Sequence, residues 1–132
     1  MIARIYRGLP GAGKTTRATC EVPVVALVAA DDFRDWSKPF DATRNTLAHE
    51  GCFARWLRLV RSAHPVIGVH NTFVTEETLF RYIESARVAN RVVEIVDLFD
   101  GGLTDEQLAS RNVHQVPIEV ICNMRKNYFP SR

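Results

Sequence analysis

The chain has 132 residues, 46% hydrophobic and 24% charged, which suits one ordinary globular domain spanning 1–132. A net charge of +2 is too small to point to nucleic acid by itself, although most of the positive charge is arginine, whose forked guanidinium suits phosphate. Three widely spaced cysteines (Cys20, Cys52, Cys122) form no CxxC pair, which argues against a disulfide framework or zinc site and for reduced thiols in a cytoplasmic protein.

The first residues read as strand and phosphate loop, not as a signal peptide, and no apolar run approaches the roughly 20 residues that span a bilayer, so no membrane partner is expected. Ile2–Tyr6 (IARIY) is a short β-rich run. Gly8–Thr16 (GLPGAGKTT) follows it. Gly8, Gly13, Lys14 and Thr15 occupy every fixed position of G-x-x-x-x-G-K-[ST]. Glycines let the backbone curl from Gly8 through Pro10, Gly11, Ala12 and Gly13 so that the N–H groups of the loop, Pro10 having none, face one anion, and the next helix adds its positive end through Thr15 and Thr16. Lys14 would lie across the outer phosphates and the Thr15 hydroxyl would ligate Mg²⁺. A helix is predicted from Lys14 to about Glu21, ending near Pro23.

Val24–Ala29 (VVALVA) is a continuous apolar run, as in a strand buried on both faces. Asp31 and Asp32 come directly after it, in AADDFR. A carboxylate there faces the phosphate loop across the strand ends and can take the proton of an attacking hydroxyl. The plainer role is to cap a following turn, and one of the two suffices for that. Arg34 could hold an anionic group of the acceptor. Asp31–Asp41 reads mostly as loop, and a long helix follows over roughly 44–63. Arg44, Arg55 and Arg58 share one side of that helix, either as a solvated face or as a track for a nucleic-acid backbone.

Pro65 opens a third strand, Val66–Val69, which runs into His70, Asn71 and Thr72. A neutral histidine there can bond a hydroxyl or a base edge, or merely satisfy nearby backbone. Asn71 and Thr72 are candidates for polar contact with the acceptor or a metal-bound water. Thr75–Ala89 reads as a helix capped by Thr75, and Arg91–Phe99 as a fourth strand. TDEQ at Thr104 matches a capping box, and the last helix is predicted from Pro117 to near Tyr128. Before it stands RNVHQVP, with Arg111 at a helix end, where the dipole favours a surface arginine and where it could also neutralise charge on a transferred phosphoryl group. His114 is either a cap or a contact to the base of a nucleotide.

Alternation of strand and helix predicts a central, mostly parallel sheet of about four strands between helical layers, with ligands beyond the carboxyl ends of the strands. The absence of an N-K-x-D motif counts against a guanine-nucleotide switch.

GLPGAGKTT together with AADDFR and R-N-x-H-x-x-P resembles the P-loop polynucleotide kinases, including the kinase domain of phage polynucleotide kinase and the small kinase-like domains allied to it. The resemblance runs from Ile5 to about Tyr128 and implies a three-layer P-loop NTPase fold of the kinase type. It implies Mg²⁺- and ATP-dependent transfer of the γ-phosphoryl group, with the 5′-hydroxyl of DNA or RNA as the acceptor. By that resemblance Asp31, not Asp32, is the general base, Arg34 binds a phosphate of the acceptor nucleotide, and Arg111 contacts the donor phosphates. Two departures stand out. His70 occupies the position of an aspartate that partners the motif arginine, leaving Arg34 without its usual partner. Gln115 replaces a glycine. A kinase for a small metabolite or nucleotide, and a nucleotide-binding module with little turnover, are the alternative readings.

Overall fold

A continuously buried stretch lies near the start of the chain: Ile5 to Leu9 are all buried. A run shielded on both sides belongs in the middle of a sheet, and a computed structural model puts it there. The model describes residues 1–38 and 41–130; Pro39 and Phe40, within the stretch read as loop, and residues 131–132 of the domain span lie outside the described residues. The elements are β1 (Ile2–Gly8), α1 (Lys14–Glu21), β2 (Leu27–Val28), α2 (Ala42–Val60), β3 (Val66–Asn71), α3 (Glu76–Val88), β4 (Val92–Phe99), α4 (Asp105–Arg111) and α5 (Ile118–Asn127).

All strand pairings are parallel, in the order β2-β3-β1-β4. The protein is a three-layer α/β sandwich, as the alternating pattern predicts. Parallel strands bring every carboxyl end to one edge. β1 connects towards β2 on one side and β3 returns towards β4 on the other, so the crevice between the ends of β1 and β3 is the topological switch point, where such sheets bind ligands. Tyr6 and His70 are register partners there.

Two buried arginines hold opposite ends of this sheet. Arg91 is 4% exposed at the amino end. Its guanidinium donates to the carbonyls of Leu59, Val60, Ser62, His64 and Ile2. It thereby adds donors to the last carbonyls of α2, of which that of Leu59 also accepts from Ser62. α2 accordingly stops at Val60, short of the predicted end near 63. Arg7, 2% exposed, does the corresponding work at the carboxyl end. Its Nη2 donates to the Phe73 carbonyl at 2.6 Å, its Nη1 meets Asp97 Oδ2 at 3.2 Å, and it lies 4.2 Å over the Tyr128 ring. A buried charge is tolerable only when so fully engaged.

The main core joins Ile5, Ile67 and Val69 of the sheet to Trp56 of α2 and Tyr82 of α3. Trp56 Nε1 donates to the Tyr82 carbonyl at 3.2 Å, so the indole is satisfied as well as buried. A second cluster of Leu9, Leu108, Ile121 and Tyr128 seats α4 and α5 behind the loop that follows β1.

The predicted strand over Val24–Ala29 needs correction. Val24–Ala26 is a 3-10 turn, with Val24 76% and Val25 59% exposed, and only Leu27–Val28 pairs. Pro23 sets an extended entry whose carbonyl accepts from Ala26 N, and β2 is an edge strand with β3 as its one neighbour. The capping expectations hold: Thr75 accepts from Thr78 N, and Thr104 and Gln107 form a reciprocal capping box. Pro117 stands one residue earlier than predicted, as the N-cap of α5. Arg55 donates to the carbonyl of Val25, before β2, Arg44 pairs with Asp41, and Arg58 is exposed. This fits the solvated-face reading.

Candidate active site

The loop between β1 and α1 carries the first half of the site. Gly11 has φ 85 and Gly13 φ 100, both left-handed, where a side chain is strained. Gly11 has a second reason to lack a side chain: a Cβ there would come within 2.6 Å of the Leu108 carbonyl of α4. Around Gly13 a Cβ would meet nothing within 4 Å, so the backbone angle alone demands glycine there. Leu9 N donates to the Phe99 carbonyl at 2.7 Å and ties the loop to the end of β4. Pro10, Ala12 and Gly13 are half-buried, whereas Thr15 and Thr16 are exposed in the first turn of α1.

Lys14 folds back over this loop and donates to the Leu9 carbonyl at 3.0 Å. Desolvation pushes its pKa down to about 8, against an opposing pull from the Asp31 carboxylate. Lys14 and Asp31 thus feel each other across the crevice. The Thr15 hydroxyl stands 3.5 Å from His70 Nδ1, at the limit of a hydrogen bond. Burial pushes the His70 pKa below its ordinary value, with the Asp32 and Asp31 charges opposing and Lys14 assisting, so the ring is neutral near pH 7. His70 therefore stands beside Thr15, at the start of α1.

Asp31 and Asp32 divide their tasks. Asp32 Oδ2 accepts from Ala29 N at 2.9 Å and closes the 3-10 turn Ala30–Phe33. Asp31 is left at the mouth of the crevice, its side chain 41% exposed. Arg34 Nε lies 3.1 Å from Asp31 Oδ1, and His114 Nε2 lies 3.2 Å from Asp31 Oδ2. The partner that the sequence at His70 does not supply to Arg34 is thus Asp31 itself. His114, read as a cap or a base contact, reaches the same carboxylate.

Asn71 is 7% exposed and lines the same cleft as Thr72, while its amide is engaged within the protein. Its Oδ1 accepts from Ala30 N at 2.8 Å and its Nδ2 points to Cys52 Sγ at 3.4 Å. It fastens the turn bearing Asp31 to the end of β3. Gly51 of α2 seats the other side of that turn, since a Cβ there would lie 2.7 Å from the Phe33 ring. Thr72 is half-buried and lines a cleft of about 250 Å³ with Asn45, His49, Thr78, Arg81 and Tyr82 among others. Burial and the nearby Arg34 and Arg81 push the His49 pKa down, and Asp31 opposes them. His49 therefore links this cleft to Asp31.

Arg111 is exposed at the end of α4, beside a shallow hollow with Leu103, Glu106, Gln107 and Ser110. One turn earlier, Leu108 backs Gly11, which ties α4 to the phosphate loop. Sequence reading missed Arg7, His49, Arg81 and Trp36. A charged residue inside an apolar strand directly before Gly8 is the available signal for Arg7; the others have none short of the fold.

A divalent metal suits this loop in a particular way. Among the described residues no group of three or more His, Cys, Asp or Glu side chains could hold an ion. Mg²⁺ bound with nucleotide phosphates needs only one or two protein ligands, and the exposed Thr15 hydroxyl at the loop provides one.

No family model and no curated protein matches the chain. Among solved structures, a gluconokinase from Sinorhizobium meliloti 1021 superposes with a TM-score of 0.61 over 96% of this chain and 74% of its own, at 16% identity. The fold is that of a P-loop kinase. At that identity the likeness speaks for the fold alone. Among the described residues no helix is long and apolar enough to cross a membrane. Cys20, Cys52 and Cys122 are all free.

Proposed function

We propose that the protein is an ATP-dependent phosphotransferase with a hydroxyl acceptor, and that the acceptor is the 5′-hydroxyl of a polynucleotide. The observation that carries the reading is the position of Asp31: a carboxylate at the mouth of the switch-point crevice, within electrostatic reach of Lys14. The loop from Gly8 through Pro10, Gly11, Ala12 and Gly13 to Thr16 cradles the phosphates with its N–H groups, to which Pro10 adds shape but no donor. Lys14 exchanges the Leu9 carbonyl for the outer phosphates, and the Thr15 hydroxyl would hold Mg²⁺. The ion, when bound, neutralises charge on the phosphate oxygens.

Asp31 accepts the hydroxyl proton as the acceptor oxygen attacks the γ-phosphorus. The bond from that phosphorus to the bridging oxygen breaks, and ADP leaves with the electron pair. Arg34 orients an acceptor phosphate, and Arg111 supports the donor phosphates. Two cations, Arg81 in the lining of the cleft and Arg34 on Asp31, support a strand that carries phosphates, as does the match to D-D-F-R and R-N-x-H-x-x-P.

A second reading rests on the cleft beside Asp31: about 250 Å³ lined by Asn45, His49, Thr72 and Thr78 suits a small polyhydroxylated acceptor. Incubation with γ-labelled ATP and Mg²⁺ separates the two. A single-stranded 5′-hydroxyl oligonucleotide is set against nucleosides, gluconate and other sugars. Preferential labelling of the oligonucleotide is expected. Labelling of a sugar alone replaces the acceptor, and no labelling of any hydroxyl, with ATP still bound, leaves a nucleotide-binding module.

A further inference from the structure

Trp36 lies five residues beyond Asp31 with its side chain 51% exposed. An exposed indole beside a charged crevice calls for a partner, and here the partner is another ring. The His114 imidazole stacks on it with centroids 4.0 Å apart and planes 8° from parallel. The same imidazole meets Asp31 through Nε2 at 3.2 Å. The Arg34 guanidinium, itself on Asp31, is 5.8 Å from the indole centroid. One flat ring with a polar edge therefore fills a place bounded by an aromatic wall, a carboxylate and a guanidinium.

The segment carrying His114 is built to let that ring leave. Asn112 bonds at both sides of it: Nδ2 donates to the carbonyls of Leu108, Ala109 and Val116, and Oδ1 accepts from Val116 N at 2.7 Å. The base of the loop is thus closed on itself. Its tip is held outward, with Val113 83% exposed and Gln115 in the left-handed region at φ 54. His114 can swing away without disturbing α4 or α5.

We propose that Trp36 is the ring-binding wall of the acceptor subsite, and that His114 holds the acceptor's place in the empty protein. The acceptor then carries a planar ring close to its hydroxyl, as a nucleoside or terminal nucleotide does. It exchanges stack for stack on Trp36, and its hydroxyl replaces the imidazole at Asp31. A ring-free sugar acid offers no stack in return. This rests on the phosphotransferase reading for the role of Asp31, but ring binding itself needs no ATP.

The test uses the full chain without nucleotide, titrated with a short 5′-hydroxyl oligodeoxynucleotide and, in parallel, gluconate. Tryptophan emission reports on Trp36, because Trp56 is wholly buried in the core. The oligonucleotide quenches emission and gluconate does not. Trp36→Ala removes the quench and weakens oligonucleotide binding, measured by anisotropy, on the order of 10-fold. His114→Ala tightens it several-fold, because the competitor for the wall is gone. Thermal melts confirm that both variants fold. An unchanged affinity in Trp36→Ala overturns the subsite, and an unchanged or weaker affinity in His114→Ala overturns the exchange. The two failures are separable from that of the kinase reading. Quenching without transfer to any hydroxyl sinks the reaction and leaves the subsite. Transfer that is equally fast in Trp36→Ala sinks the subsite and leaves the reaction.

Discussion

The two walls of the crevice are built on different principles. The donor wall is backbone: one continuous loop whose amides, glycines and helix end form a fixed anion site. The acceptor wall is side chain: Asp31, Arg34 and Trp36 from one segment, Thr72 from another, Arg81 from α3 and His114 from the loop before α5. A backbone site tolerates change in its neighbours but not in its own φ angles. A side-chain site depends on distant residues, such as Asn71 and Gly51, that hold its turn in place. The difference predicts that damage to one wall abolishes nucleotide binding, while damage to the other abolishes transfer and spares it.

The sharpest break is Asp31→Asn. It should lower phosphoryl transfer by about 10²- to 10⁴-fold, the range of a general base, with nucleotide affinity within a few-fold of the wild type. Rapid-quench transfer and calorimetric nucleotide titration on one sample check both halves. Arg7→Met, behind both walls, should cost about 1–3 kcal/mol of folding stability in urea, because the Phe73 carbonyl loses its buried donor and Asp97, which keeps the Tyr128 hydroxyl, loses its cation.

A pair of glycine substitutions sharpens the contrast. Gly11→Ala combines a left-handed φ with a backbone clash and should cost about 1–3 kcal/mol, read as lost nucleotide affinity and a lower melting temperature. Gly51→Ala pushes on the Phe33 ring, at roughly 1–3 kcal/mol before the gain in helix propensity, and should lower transfer while nucleotide affinity holds.

The smallest expected effect is a pH dependence confined to the donor wall. Phosphates need Lys14 charged, and the empty protein holds its pKa at about 8. Bound phosphates raise that pKa, so binding takes up a proton above pH 8. Affinity should be flat below pH 8 and fall by up to about tenfold per unit above it. The folded-state pKa lies below the ordinary 10.5, so the unfolded chain binds more protons between the two values. The empty protein should therefore gain stability as pH rises from about 8 towards 10.5. Lys14→Met removes both trends.

This asymmetry also explains what could be read in advance. The donor wall is local, so Gly8, Gly13, Lys14 and Thr15 announce it in eight residues, and the strand and helix around it follow. The division between Asp31 and Asp32 was legible as a choice, since both a cap and a base are motifs of the same residue type; only the Ala29 N–H decides which is which. Arg34, His70 and Asn71 were found by position, but their directions depend on partners far away in sequence. His70 turns to Thr15, 55 residues earlier, and Asn71 to Ala30, 41 residues earlier. The Val24–Ala29 run misled because hydrophobicity does not distinguish an edge strand from a central one.

The account depends most on where Asp31 lies relative to the phosphorus that moves. A crystal structure with Mg²⁺ and a non-hydrolysable ATP analogue measures this directly. The prediction is an analogue seated on the Gly8–Thr16 loop, with Lys14 Nζ moved from the Leu9 carbonyl to the outer phosphates. The Asp31 carboxylate would then face the γ-phosphorus with room for one hydroxyl between them, about 3 Å from each carboxylate oxygen it bonds. An analogue bound in the loop with Asp31 turned from the γ-phosphate, and no space for a hydroxyl between them, would contradict it.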